Sequence, residues 1–171
     1  MPLDANKCAD KWAAAIERQA ARKPSEWLSP ASMAAELAGI YNDYAKEATL
    51  LGADMTAGGA VDLLEAAFAA DGTPAAVAVM AAGICNFWGS FVTIGTPAHG
   101  GTAVASVLVG GASQIAAMSA AITGLIGATE KPTPYLDLIK AVEDVVKLMP
   151  CIITEIMPPN ATPTPFPEFI S

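Results

Sequence analysis

Residues 72–129 contain no Asp, Glu, Lys or Arg, a run of fifty-eight residues in a chain of 171. A stretch of that length cannot be an ordinary solvated surface, where charged side chains are placed at intervals to meet water. It has to be buried: in the chain's own core, against partners, or in lipid. Across the whole chain charged residues reach only 15% while hydrophobic residues reach 53%, against about 25% charged in an average soluble domain. The charges that exist lie on either side of the blank stretch, eleven acidic and six basic residues before it and six acidic and three basic after it. The net charge of −8 repels phosphate backbones and argues against nucleic-acid binding.

The first part reads as helices. Asp4 is a helix cap, and Cys8, Trp12, Ala15, Ile16 and Gln19 follow along one side to about Arg22. Pro24 and the residues to Pro30 break the pattern, and Ser29-Pro30 restarts it, a cap followed by proline in the first turn. Met33, Leu37, Ile40, Tyr41 and Tyr44 then form an apolar stripe on a helix ending near Gly52. After a turn at 54–59, Val61, Leu64, Glu65 and Phe68 predict a short third helix closed by Asp71-Gly72.

Thr73-Pro74 opens a fourth helix by the same cap-and-proline logic, predicted over 74–94, and residues 95–101 form a glycine-rich break. A fifth apolar helix is predicted over 102–127, with Gly110-Gly111 able to divide it. Beyond Pro132 and Pro134 an amphipathic helix runs from Tyr135 to about Leu148, with Leu138, Ile139, Val142, Val145 and Val146 inward, and Pro150 stops it. The expected fold is all-α: five to seven helices in a single domain over 1–150, with an apolar central hairpin. Five prolines at 158, 159, 163, 165 and 167 forbid a helix over the last residues. An extended tail over 151–171 is expected, reaching a neighbouring subunit or lying solvated.

No catalytic residue, cofactor site or metal site emerges. The single histidine, His99, sits in the glycine-rich connector without a nucleophile or second base beside it. Cys8, Cys85 and Cys151 are too scattered for a zinc site and read as reduced structural thiols. The segment from Gly95 to Thr102 has the glycine spacing of a phosphate loop, but glycine stands at 101 where the phosphate-binding lysine belongs. Asn160-Ala161-Thr162 matches a glycosylation acceptor, yet the polar N-terminal residues carry no apolar signal core. Synthesis in the cytoplasm is the expectation.

The blank stretch admits a membrane reading. Residues 76–94 and 103–128 are each long enough to span a bilayer as a holin-like or pore-forming hairpin in a host inner membrane. Against it stand the Ala, Gly, Ser and Thr content, the lack of flanking basic clusters, and Asn86, Ser90, Gln114 and Ser119, each of which would need a partner in lipid. Burial against protein partners is the favoured expectation. The candidate partner-binding residues are Phe87, Trp88 and Phe91 in the hairpin and Phe166, Phe169 and Ile170 in the tail.

The Ala/Gly-rich helices, Phe87-Trp88 followed by Gly95-Thr96-Pro97, and the proline-rich ending resemble small virion proteins of tailed bacteriophages, encoded among tail and baseplate genes. The resemblance spans most of the chain and implies a non-enzymatic structural part, present in multiple copies and docked on other proteins of the same particle, with no cofactor.

Overall fold

The structure, a computed structural model, describes residues 3–50, 53–54, 60–70, 73–95, 102–107, 112–126, 134–149, 151–156 and 166–168. The fold is all-α in character, with six helices carrying most of the described residues: α1 (Ala5–Ala20), α2 (Pro30–Ala45), α3 (Val61–Phe68), α4 (Pro74–Gly89), α5 (Ala112–Ile126) and α6 (Pro134–Val146). Three of the starts are set by the expected side chains. The Asp4 carboxylate accepts from the backbone N–H of Asn6 and Lys7, Ser29 Oγ from Ser32, and Thr73 Oγ1 from Ala76. Each satisfies donors that the first helical turn leaves without an intrahelical partner.

Each helix packs against the next in sequence, and α6 returns to pack against α1, so the six form a closed circuit. Its interior is a single apolar cluster that draws on all six helices. The largest fully buried side chains there include Trp88, Tyr41, Phe87, Phe91, Leu64 and Met118. Helices α3 and α4 approach closely at Gly83. A Cβ placed at Gly83 would stand 2.7 Å from the Ala67 Cβ and 2.9 Å from the Leu63 carbonyl oxygen. Only glycine fits there.

Short strands join and extend the helical body. Residues Thr49–Leu50 (β1) and Ala53–Asp54 (β2) form a small antiparallel pair. A four-stranded antiparallel sheet contains β3 (Val92–Gly95), β4 (Thr102–Val107), β5 (Cys151–Ile156) and β6 (Phe166–Glu168) in that spatial order. The α5–α6 pair is therefore inserted between the two central strands. Val92 pairs with Ser106 and Gly95 with Ala103 across β3–β4, and Val107 pairs with Cys151 across β4–β5.

The sheet corrects three boundaries. The helix predicted over 74–94 ends at Gly89, and Val92-Thr93-Ile94, three β-branched residues in a row, turn into a strand. The helix predicted over 102–127 starts as strand β4, and its helical part is Ala112–Ile126. The tail predicted over 151–171 to stand away from the body begins as the sheet strand β5. Its segment Phe166–Glu168 folds back on β5 as the outer strand, with Pro167 opposite Ile152. An extended chain satisfies its backbone groups by joining a sheet, and an edge strand is where proline is tolerated. Gly110-Gly111, His99 and the Asn160 acceptor lie outside the described residues.

The two-helix membrane hairpin is also corrected. At 16 and 15 residues α4 and α5 are about 24 Å long, short of the roughly 30 Å of a bilayer's hydrocarbon layer. Among the described residues no helix is long and apolar enough to cross a membrane.

Candidate functional site

Phe87, Trp88 and Phe91, expected at a partner surface, lie in the chain's own core with exposures of 0, 1 and 0%. The reason is the position of α4 between α3 and α5, which covers it on two sides. The three rings join Tyr41, Tyr44, Trp12 and Phe68 in one continuous aromatic cluster. Phe87 meets Phe91 edge-on at 5.0 Å between ring centres, and Trp12 meets Phe68 the same way at 5.2 Å, the favoured geometry for aromatic pairs. The Trp88 indole N–H donates to the Tyr41 hydroxyl oxygen at 3.0 Å, fully inside the core. Phe166 is the first residue of β6, and Phe169 and Ile170 lie outside the described residues.

Cys8, Cys85 and Cys151 are thiols rather than disulfide halves, and all three are buried. Burial pushes the Cys8 thiol up to about 12 and the Cys85 thiol up to about 11, the opposite of what a nucleophilic cysteine needs. Tyr44 donates to Glu143 Oε2 at 2.6 Å. Burial, and then that hydrogen bond, hold its hydroxyl far above the usual tyrosine range. Glu143, whose side chain is only 11% exposed, also pairs with Lys147 one helical turn away. Lys7 of α1 pairs with Glu47 just beyond α2, and Arg18 of α1 with Glu36 of α2; these two are more exposed and contribute little each. Among the described residues no group of three or more His, Cys, Asp or Glu side chains is gathered where a metal ion could be held.

Two features of the described residues stand apart from these polar contacts. The first is a cavity of about 130 Å³ inside the helix circuit, lined by Trp12, Leu37, Tyr41, Phe68, Met80, Ile84, Leu138, Ile139 and Val142 from five of the six helices. The second is the outer side of α4 and α5. On α4 the exposed positions include Ala75, Ala78, Val79 and Asn86, and on α5 Ala112, Ser113, Ala116, Ala117, Ala120, Thr123 and Gly124. On α1 the exposed positions are Asn6, Lys7, Asp10, Lys11, Glu17, Arg18 and Ala20, the usual solvated pattern. Sequence reasoning located the uncharged helices but assigned contact to the large aromatics. Apart from Val79, the residues that reach the surface there are the small ones between them and Asn86. No known protein family, characterised protein or solved structure matches the chain.

Proposed function

We propose that this chain is a non-enzymatic structural component of a tailed-phage virion, part of the tail or baseplate, docking on other proteins of the particle through the uncharged outer faces of α4 and α5. One observation carries the reading. The charge-free stretch is longer than the core requires, because its described water-facing positions on α4 and α5 are also uncharged: Ala, Ser, Thr, Gly, Asn and Val79. A surface kept free of charge where the neighbouring helices α3 and α6 carry exposed Asp, Glu and Lys is suited to close packing against another protein. Small side chains let a partner backbone approach closely and cost little side-chain entropy on docking. The placement in a virion rests on the resemblance of the Ala/Gly-rich helices and proline-rich ending to small phage tail and baseplate proteins.

The test places charge on those faces. Ala78→Lys and Ala117→Lys change exposed helical positions, so the double variant should keep the wild-type circular dichroism spectrum and lose no more than about 0.5 kcal/mol of stability. In a phage encoding the chain, mass spectrometry of purified virions should find the wild type at a fixed copy number and the double variant depleted at least tenfold. Absence of the wild-type chain from purified virions, or incorporation of the folded double variant at the wild-type level, overturns the reading.

A further inference from the structure

The cavity inside the helix circuit has properties that assembly alone does not call for. Helices α1, α2, α3, α4 and α6 all contribute to its wall, with Trp12, Tyr41 and Phe68 giving it an aromatic side and Ile84, Ile139 and Val142 an aliphatic one. The Trp12 N–H and the Tyr41 oxygen of the wall are engaged, while the Tyr41 O–H donates to no acceptor among the described residues. Trp12 Nε1 donates to the Leu37 carbonyl at 3.1 Å, and the Tyr41 oxygen accepts from Trp88 at 3.0 Å. Water in this space finds almost no partners, and an apolar molecule displaces it with little loss. At about 130 Å³ it is near the size of apolar cavities, about 150 Å³, that take up one benzene molecule.

The cavity also has a way in. Leu37, Phe68, Met80 and Leu138 keep partial exposure while the rest of the wall is buried. Of these, Met80 is unbranched and swings with little strain.

We propose that this cavity is a binding site for one small uncharged apolar molecule, a single aromatic ring or a branched hydrocarbon of about six carbons. A polar molecule of the same size is disfavoured, because it gives up its hydration for at most one hydrogen bond, from the Tyr41 O–H. Bound ligand touches five helices at once and so stiffens the whole circuit. The proposal is independent of what the outer faces of α4 and α5 contact.

Benzene is the probe, titrated into the full chain with pyridine as its polar match in size. Benzene should bind saturably with a dissociation constant on the order of 0.1–1 mM and, at about 10 mM, raise Tm by about 5 °C. Pyridine should bind at least tenfold more weakly. Leu138→Phe and Met80→Phe, at partly exposed wall positions, fill the space and should abolish the benzene-dependent rise while leaving the helical spectrum unchanged. Methyl resonances of Ile84 and Val142 should shift with benzene in the wild type, giving a readout that needs no variant. A wild type whose Tm and Ile84 and Val142 methyls do not respond to benzene overturns the proposal, as does an unchanged response in a folded filled variant or equal binding of pyridine.

Discussion

Gly83→Ala is the sharpest test of the helix circuit, because two effects of known size oppose one another at that residue. In an isolated helix alanine is better than glycine by about 1 kcal/mol. At position 83, however, the new methyl would stand 2.7 Å from the Ala67 Cβ and 2.9 Å from the Leu63 carbonyl oxygen. Comfortable carbon–carbon contact is roughly 3.5–4.0 Å, so α3 and α4 have to separate by about 1 Å. The obstructing atoms belong to a helix backbone and a Cβ fixed to it, so no side-chain rotation relieves the clash. Parting the helices loosens the contacts of Leu64 and Ala67, both buried. Overpacking of this kind costs about 1–3 kcal/mol, and the rigidity of the obstacle puts Gly83 in the upper half of that range. The net expectation is a loss of about 1–2 kcal/mol and a fall in Tm of about 5 °C. Gly39→Ala on α2 is the control, since a Cβ there meets nothing within 4 Å; it should gain up to about 1 kcal/mol. Urea unfolding followed by circular dichroism measures both. If Gly83→Ala is stabilised like Gly39→Ala, the α3–α4 approach is not as close as described and the packing argument fails.

Other substitutions and conditions probe the core. Tyr41→Phe removes the acceptor of the buried Trp88 N–H and should cost about 1–3 kcal/mol in denaturant unfolding; a loss under 0.5 kcal/mol would mean the indole finds another partner. Asp4→Ala deletes the cap that accepts from Asn6 and Lys7 and should cost about 1 kcal/mol; an unchanged Tm would refute the cap's role. Stability should also fall in alkali. The folded thiol values of Cys8 and Cys85 are raised, to about 12 and about 11, above the 9.0 of a free thiol. Their contribution is therefore fully present below pH 9 and is lost as pH climbs from 9 towards 12. Between pH 8 and 10.5 each thiol should account for about 1–2 kcal/mol, and Cys85→Ala should flatten the slope. A wild-type slope unaffected by that change would show that burial does not hold the thiol neutral.

What the sequence made legible, and what it hid, follows from where its charges are. In α1, α2 and α6 polar and apolar residues alternate with a helical period, so caps and faces could be read: Asp4, Ser29 and, of the five inward residues, Ile139, Val142 and Val146 stand as expected, while α2 ends at Ala45 and not near Gly52. In residues 72–129 there is no charge to mark an outer face, and a helical period cannot then be told from a strand period. The strand signal was present but short, in Val92-Thr93-Ile94 and in the valines at 104 and 107. It was outweighed by the alanines around it. The same blankness misplaced the site. With no polar face to orient α4, its largest apolar residues looked like anchors, yet a ring has more to gain from burial than a methyl. Phe87, Trp88 and Phe91 went inward for that reason, and the alanines were left outside. The cavity had no local signal at all, because its wall is assembled from residues as far apart as Trp12 and Val142 and exists only once the circuit closes. The charge gap thus has two consequences on opposite sides of the same helices: an aromatic interior that holds the circuit together, and an outer surface of small residues that water alone does not explain.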